Sequence, residues 1–460
     1  MSKVKEFFAK IGRWFKSLFV ATTPDSEPKL KTLWNKQGTR NFASSLLAIF
    51  SGVLIGFVFL LLFALFSPNI TGKSAFEAFR ILIGGIFYQG RTPTGGLDFG
   101  FNPQLFGDML FRAMPLLMTG LSVAVAFKTG LFNIGASGQY LVGTWATLVV
   151  ALSMDTTVVN PFFVCLLALL AGMAAGFIWG CIPGLFKALL NVNEVITCIM
   201  TNWIAINLVH WFFQADNNKG ATGAQFVNFV DNTKSGFILK TSTNGVVTPT
   251  FGLDKLFPGS QVSGGILIAI VVSVVLYIVI NRTTFGYELR ACGQNRHSAR
   301  YAGINDTRSI ILSMGIAGAL AAAGASLYYL SGYTEYGWTN NMSLPAEGFN
   351  GIPVALLAYN NPIGTIFASM FMAYINIAGE QIRGATAYNK YISDLIVAII
   401  IYLSAFSLLF KDILSGKIFA KKKSATAVAT TAEPTTQQPT TTEQPTEDQP
   451  QQTTTQEADE

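Results

Sequence analysis

The run from Phe42 to Phe66 carries no charged side chain. An apolar stretch of about 20 residues matches the hydrocarbon core of a bilayer. Inside that core every backbone polar group must be paired within the protein, and a run of this length reads as a transmembrane helix. Similar runs recur to Phe410, in a chain that is 51% hydrophobic and 12% charged. The fold class that follows is all-α, a polytopic membrane protein of about ten transmembrane helices. The spans read as Phe42 to Phe66, Ala113 to Phe127, Leu131 to Leu152, Pro161 to Leu185, Val192 to Phe213, Gly264 to Ile280, Ser309 to Leu330, the short Gly351 to Ala358, Ile363 to Ala378 and Tyr391 to Phe410. The second is expected to begin at an Arg112 interface and to kink at Pro115.

Charge sets direction. Residues 281–308 carry Arg282, Arg290, Arg296, Arg300 and Arg308 against only Glu288 and Asp306. The positive-inside rule places that loop in the cytoplasm. Its second half, Ser298 to Ile304, reads as one or two helical turns showing Ala299, Tyr301, Ala302 and Ile304. It is either an ordinary basic connector or a docking surface for a soluble partner. If Gly351 to Ala358 crosses as a half helix, both termini are cytoplasmic. That suits Lys411, Lys417, Lys421, Lys422 and Lys423.

The leader, residues 1–41, includes Phe7, Phe8, Ile11, Trp14, Phe15, Leu18 and Phe19 at helical spacing, with Lys5, Lys10, Arg13 and Lys16 between them. This is a basic amphipathic helix suited to the inner leaflet surface. No cleavable signal precedes the first span. The transmembrane body covers 42–415. Ser74 to Gln89 is expected as an interfacial helix, and 214–262 as a large outer loop with some β character. Residues 416–460 are rich in Thr, Gln, Pro and Glu and are expected to be a disordered cytoplasmic tail.

Two pairs of motifs hint at a five-plus-five inverted repeat with broken helices. Phe132-Asn133-Ile134-Gly135 opens span three and Phe349-Asn350-Gly351-Ile352 opens span eight. Asn160-Pro161 opens span four and Asn361-Pro362 opens span nine. Inverted repeats place a solute pathway between halves.

Several chemistries are missing. There is no GxxxxGK[ST] phosphate cradle and no Cys/His metal spacing; His210 and His297 are the two histidines. Cys165, Cys181, Cys198 and Cys292 suggest no disulfide framework. No catalytic residues and no metal site are read. Asn191 and Glu194 have capping-box spacing, so Glu194 is read as a cap ahead of an ion-coupling group. The scarcity of acids deep in the spans argues against a self-powered carrier. Candidate substrate-pathway residues are Asn133, Gln139, Tyr140, Asn193, Asn202, Trp203 and Asn350, with Ser137 beside them. Amides near rings suit a neutral polar solute with a planar or sugar-like face, and equally suit interhelical ties.

Four stretches carry a family resemblance: FNIGASGQYLVG at 132–143, NEVITCIMTNWIA at 193–205, ACGQNRHSARYAGI at 291–304 and GFNGIPVALLAYNNPIG at 348–364. The chain resembles permease subunits of ATP-binding-cassette (ABC) importers of the ribose, branched-chain amino acid and nucleoside type, most like the nucleoside branch. The resemblance implies a multi-pass protein of the bacterial cell membrane that imports nucleosides by alternating access. A ribose-like sugar permease is the alternative, and an ion-coupled carrier a further one. It implies an ATPase-coupling role for Arg290, Gly293, Asn295, Arg300, Tyr301, Gly303 and Ile304. The implied partners are an ABC ATPase subunit carrying ATP and magnesium, a second permease subunit and an extracytoplasmic solute-binding lipoprotein. Cofactors are expected on the ATPase rather than on this chain. Ser137 stands where the family usually has Glu, and Ala358-Tyr359 where it often has Gly-Arg.

Overall fold

The computed structural model describes residues 37–66, 71–218, 229–233, 236–239, 245–337 and 343–404, with 406 and 409. The leader's amphipathic helix and the tail fall outside these residues, whereas residues 37–41, expected in the leader, begin the first helix. Fourteen helices are described in chain order: α1 Gln37–Phe66, α2 Gly72–Gly84, α3 Pro103–Lys128, α4 Ala136–Ser153, α5 Pro161–Leu190, α6 Glu194–Asn218, α7 Leu253–Leu256, α8 Gly265–Arg282, α9 Thr284–Gln294, α10 Arg296–Tyr301, α11 Asp306–Tyr329, α12 Ala346–Leu357, α13 Pro362–Ala385 and α14 Lys390–Ser404. The fold is all-α and polytopic. Two small sheets lie outside the helices. Strands β1 Tyr88–Arg91 and β2 Leu97–Phe99 form a hairpin, and β3 Phe229–Thr233, β4 Gly236–Leu239 and β5 Tyr336–Gly337 form an antiparallel sheet. The second sheet supplies the β character expected of the long loop and ties it to a segment a hundred residues later.

Among the described residues, seven helices are long and apolar enough to cross a membrane: α1, α3, α5, α6, α8, α11 and α13. The expected third, eighth and tenth spans appear as α4, α12 and α14, of 18, 12 and 15 residues.

Asn-Pro pairs start three of the long helices. The Asn160 side chain accepts from the Phe162 amide at 2.9 Å, and Asn361 from Ile363 at 3.0 Å. Asn102 does the same for Leu105 at 3.2 Å, with Pro103 next. An asparagine cap followed by proline satisfies an orphan amide and presets the first helical φ. The Asn102 cap also starts α3 ten residues earlier than expected. Arg112 is therefore inside the helix rather than at its start, in a bidentate pair with Glu380 of α13 at 2.7 and 2.8 Å.

The centre of the bundle is α3 and α11. Helix α3 packs on α11, α12 and α13, while α11 packs on α3, α4 and α5. Exchanging α3, α12 and α13 for α11, α4 and α5 preserves these neighbours, as a repeat would. The Phe-Asn pairs do not match in the structure: Phe132 to Gly135 precedes α4, whereas Phe349 to Ile352 lies within α12.

The closest helix contact is α5 on α11. Gly172, Gly176, Gly180 and Gly184 recur every fourth residue and form one stripe of α5. A Cβ on Gly176 would come within 2.5 Å of the Gly318 carbonyl oxygen, and a Cβ on Gly318 within 2.1 Å of the Gly176 carbonyl oxygen. Small residues let the backbones meet, which drives association where lipid removes the hydrophobic incentive. The opposite face of α5 exposes Phe163, Leu167, Leu170 and Ile178, an apolar surface suited to lipid or a partner subunit.

Replacing Gly176 with Leu should push the two backbones apart and destabilise the bundle by roughly 3 kcal/mol, the upper range for overpacking a closed contact. Leu170→Ala, on the exposed face, should have little effect. Thermal unfolding of the purified variants in detergent checks both.

Candidate functional site

Two features stand out: a polar junction inside the bundle and a basic helical element at one end. The direction of α3 relates them. Its C-terminal Lys128 lies against the basic segment, where a Cβ on Gly293 would sit 2.2 Å from the Lys128 carbonyl oxygen. Distance along α3 from Lys128 therefore measures depth from the basic end.

At the junction, Asn133 and Gln139 hold each other. Asn133 Nδ2 donates to Gln139 Oε1 at 2.8 Å, and Gln139 Nε2 donates to Asn133 Oδ1 at 3.2 Å. Asn133 also donates to Ser122 Oγ on α3 at 3.1 Å. Asn202 of α6 accepts from the Gly138 amide at 2.9 Å and donates to the Ile134 carbonyl at 3.2 Å. All three amides are buried. Each such tie within a membrane bundle contributes on the order of 1 kcal/mol. Together they hold an irregular stretch, residues 129–135, that could not otherwise pair its backbone away from water.

Helices α4 and α12 start at this junction. Ser137 Oγ donates to the Pro345 carbonyl at 2.5 Å, and a Cβ on Gly348 would sit 2.3 Å from Ser137 Cα. The two first turns therefore touch. From there α4 runs toward the far end, with Thr147 Oγ1 2.7 Å from Ser326 Oγ near the end of α11. Helix α12 runs the other way, where Ser45 Oγ donates to the Leu357 carbonyl. Gly351 abuts Thr119, nine residues or about 14 Å along α3 from the basic end. Neither start has a side-chain cap: Gly135 and Pro345 occupy the two N-cap positions. Two positive helix ends thus meet well inside the bundle. The closeness of Gly348 to Ser137 gives a steric reason why a small residue stands at 137.

The remaining pathway candidates scatter. Tyr140 is fully buried, one turn beyond Ser137, and its hydroxyl has no hydrogen-bond partner. Asn193 is exposed and caps α6, accepting from the Val195 amide at 2.9 Å. Trp203 points outward and is 56% exposed. Asn350 lines a separate apolar cavity of about 340 Å³ with Leu356, Ile401 and Tyr402.

The capping-box expectation for Asn191 and Glu194 fails. Asn191 is instead the left-handed C-cap of α5, at φ 52°. Asparagine tolerates that conformation, and the following turn leaves Asn193 as the next cap. Glu194 pairs with Lys187 across the turn at 3.0 Å. Among the described residues no group of His, Cys, Asp or Glu could hold a metal ion.

At the basic end, α9 and α10 meet at Asn295, whose side chain caps α10 by accepting from Ser298 at 3.1 Å. Arg290 folds back on its own helix, donating to the Gly286 carbonyl. Gly293 is pressed on α3, and Gly303 turns the chain at φ 79° before the half-buried Ile304. Tyr301 is 94% exposed. Ala299, expected on the surface, is buried, because α10 turns that face toward the bundle. Sequence reasoning missed the anchor. Asp306, the first residue of α11, takes Arg300 Nε at 2.7 Å and also pairs closely with Arg296. Arg296 further reaches the Ala188 carbonyl at the end of α5. Arg300 therefore joins the element to α11 as well as facing solvent, and the Asp306 carboxylate raises its guanidinium pKa. The signal was in the sequence: Asp306 was one of only two acids among the five arginines.

Residues 105–405 match the family model described as the permease component of the branched-chain amino acid transport system. The chain is 33% identical to the guanosine ABC transporter permease protein NupP of Bacillus subtilis (strain 168), over 69% of this chain and 85% of that one. It is 34% identical to the nucleoside ABC transporter permease protein NupB of Lactococcus lactis subsp. cremoris (strain MG1363), over 67% and 85%. It is 30% identical to the glucose ABC transporter permease protein TsgB13 of Haloferax volcanii, over 68% and 80%. No solved structure matches. The chain belongs to this permease family, and it is a multi-pass membrane protein.

Removing the anchor should loosen the basic element. Asp306→Ala should destabilise the protein by about 1–3 kcal/mol, because it leaves two guanidiniums without their carboxylate, one of them half-exposed and screened. Tyr301→Ala should leave stability unchanged. Differential scanning fluorimetry on the two variants distinguishes them.

Proposed function

We propose that this permease-family member is the translocating subunit of an ABC importer for nucleosides. The observation that carries the coupling reading is the basic element. Tyr301 projects from α10, and Arg296 and Arg300 fasten α10 to Asp306 at the start of α11. Helix α11 is also one of the two central helices, packed on α3, α4 and α5. Movement imposed at Tyr301 would thus be delivered to the helices around the polar junction.

On this reading the basic end faces the cytoplasm and an ATPase subunit, holding ATP and magnesium, docks there. Arg290, Gly293, Asn295, Arg300, Tyr301, Gly303 and Ile304 form the coupling element, with Arg296 and Asp306 as its anchor. A solute-binding lipoprotein delivers solute at the opposite face. A second permease copy or relative covers an exposed apolar face. This chain hydrolyses nothing itself. Asn133, Gln139 and Asn202 shape the pathway by holding the junction. Asn193, Trp203 and Asn350 stand away from it and enter the proposal only as peripheral positions. The names of the guanosine and nucleoside relatives support the substrate class. The glucose relative supports a sugar-permease alternative at lower identity.

Cells carrying and lacking the chain, given labelled uridine and guanosine with excess unlabelled ribose, test the substrate. Uptake should require the chain and ignore ribose; displacement of the label by ribose would favour the sugar reading. Tyr301→Glu should cut that uptake at least tenfold and reduce co-purification of the ATPase, while normal values of both would remove the docking role.

A further inference from the structure

The far side of the junction holds polar groups that the bundle leaves unsatisfied. Tyr140 is fully buried, yet its hydroxyl has no hydrogen-bond partner among the described residues. The indole nitrogen of Trp145, further along α4, is buried and also unpartnered. Buried polar groups are nearly always paired, and an exception within a membrane bundle calls for an explanation. Adding an apolar side chain there would have cost less than a bare hydroxyl.

The surroundings are suited to a ligand. Tyr140 lies one turn beyond Ser137, and α12 leans on Ser137 through Gly348. Glu347, in the first turn of α12, is the chain neighbour of Gly348 and so lies at this contact. Tyr329, at the end of α11, packs against the cluster that holds Leu141 and Leu148 of α4. The rings form a ladder, with Tyr328 and Tyr329 centroids 5.4 Å apart and Tyr329 and Tyr336 5.6 Å apart. Trp145 packs into the same cluster as Tyr329 and Tyr336.

We propose that Tyr140, Glu347 and the Tyr328–Tyr329 edge form the solute-recognition subsite of the permease, and that it takes a nucleoside. A tyrosine face stacks on the planar base. The Tyr140 hydroxyl and Trp145 N–H pair with its polar edge. The Glu347 carboxylate accepts from two vicinal sugar hydroxyls, one on each oxygen, whereas an amide offers one oxygen and a donating NH2 in place of the other. The proposal rests on the nucleoside-importer reading and adds to it the residues that sense the solute.

The test uses the whole importer reconstituted in vesicles, comparing the unaltered chain with Tyr140→Phe and Glu347→Gln. The probes are labelled uridine and 2′,3′-dideoxyuridine. The binding protein is the same throughout, so its own selectivity cancels between variants. Tyr140→Phe should lower uridine transport about tenfold without lowering thermal stability, since it removes only an unpaired hydroxyl. Glu347→Gln should narrow the ratio of uridine to dideoxyuridine transport by about tenfold. The subsite is overturned if both variants carry uridine within twofold of the unaltered protein, or if Glu347→Gln lowers both solutes equally. A fall in melting temperature for Tyr140→Phe would assign the hydroxyl a structural role and overturn it also. Failure of the unaltered importer to carry any nucleoside would defeat the proposed function itself, an outcome separate from these.

Discussion

The structure depends on the backbone contact between α5 and α11. Helices in lipid gain little by burying leucines against one another, so association must come from close packing and polar ties. The glycine stripe of α5 provides the first, allowing its backbone to meet α11 at Gly318. With α11 held there, its start can be fastened by Asp306 to the basic element and its middle can wall the polar junction. Helix α3 is the counterpart, held by Arg112–Glu380 on one flank and closed on Gly351 on another.

Within this frame, α4 and α12 each begin inside the bundle. Their starts touch at Ser137 and Gly348 and then diverge. Irregular backbone at that depth is tolerated only where protein pairs it, and Asn133, Gln139 and Asn202 do that pairing. Of the residues first read as touching a solute, Asn133, Gln139 and Asn202 hold the junction together, and Asn193, Trp203 and Asn350 stand away from it. Tyr140 stands beside the junction with its hydroxyl left over.

Much of this was legible in the sequence. Uncharged runs, Asn-Pro starts and the basic loop are local signals, and they located the long helices, two of the caps and the Tyr301 element. What was not legible is what depends on pairing across the fold. Arg112 looked like a flank because Glu380 lies 268 residues away. Glu194 looked like a cap because the left-handed turn at Asn191 cannot be read from spacing alone. Asn202 and Trp203 are adjacent in sequence, and only packing shows that one faces the junction and the other faces out. The glycine stripe was readable as a four-residue period, whereas its partner Gly318 was not. Family membership was legible because its motifs sit at the junction and the basic element, where backbone geometry restricts the residue.

The central claim is that force applied at the basic element moves solute through the junction. The direct measurement is solute accumulation in vesicles holding the assembled complex, with ATP supplied on the ATPase side and all ion gradients collapsed by ionophores. The account predicts accumulation of nucleoside that requires hydrolysable ATP and persists without any gradient. Accumulation that ignores ATP and vanishes with the gradients would contradict it.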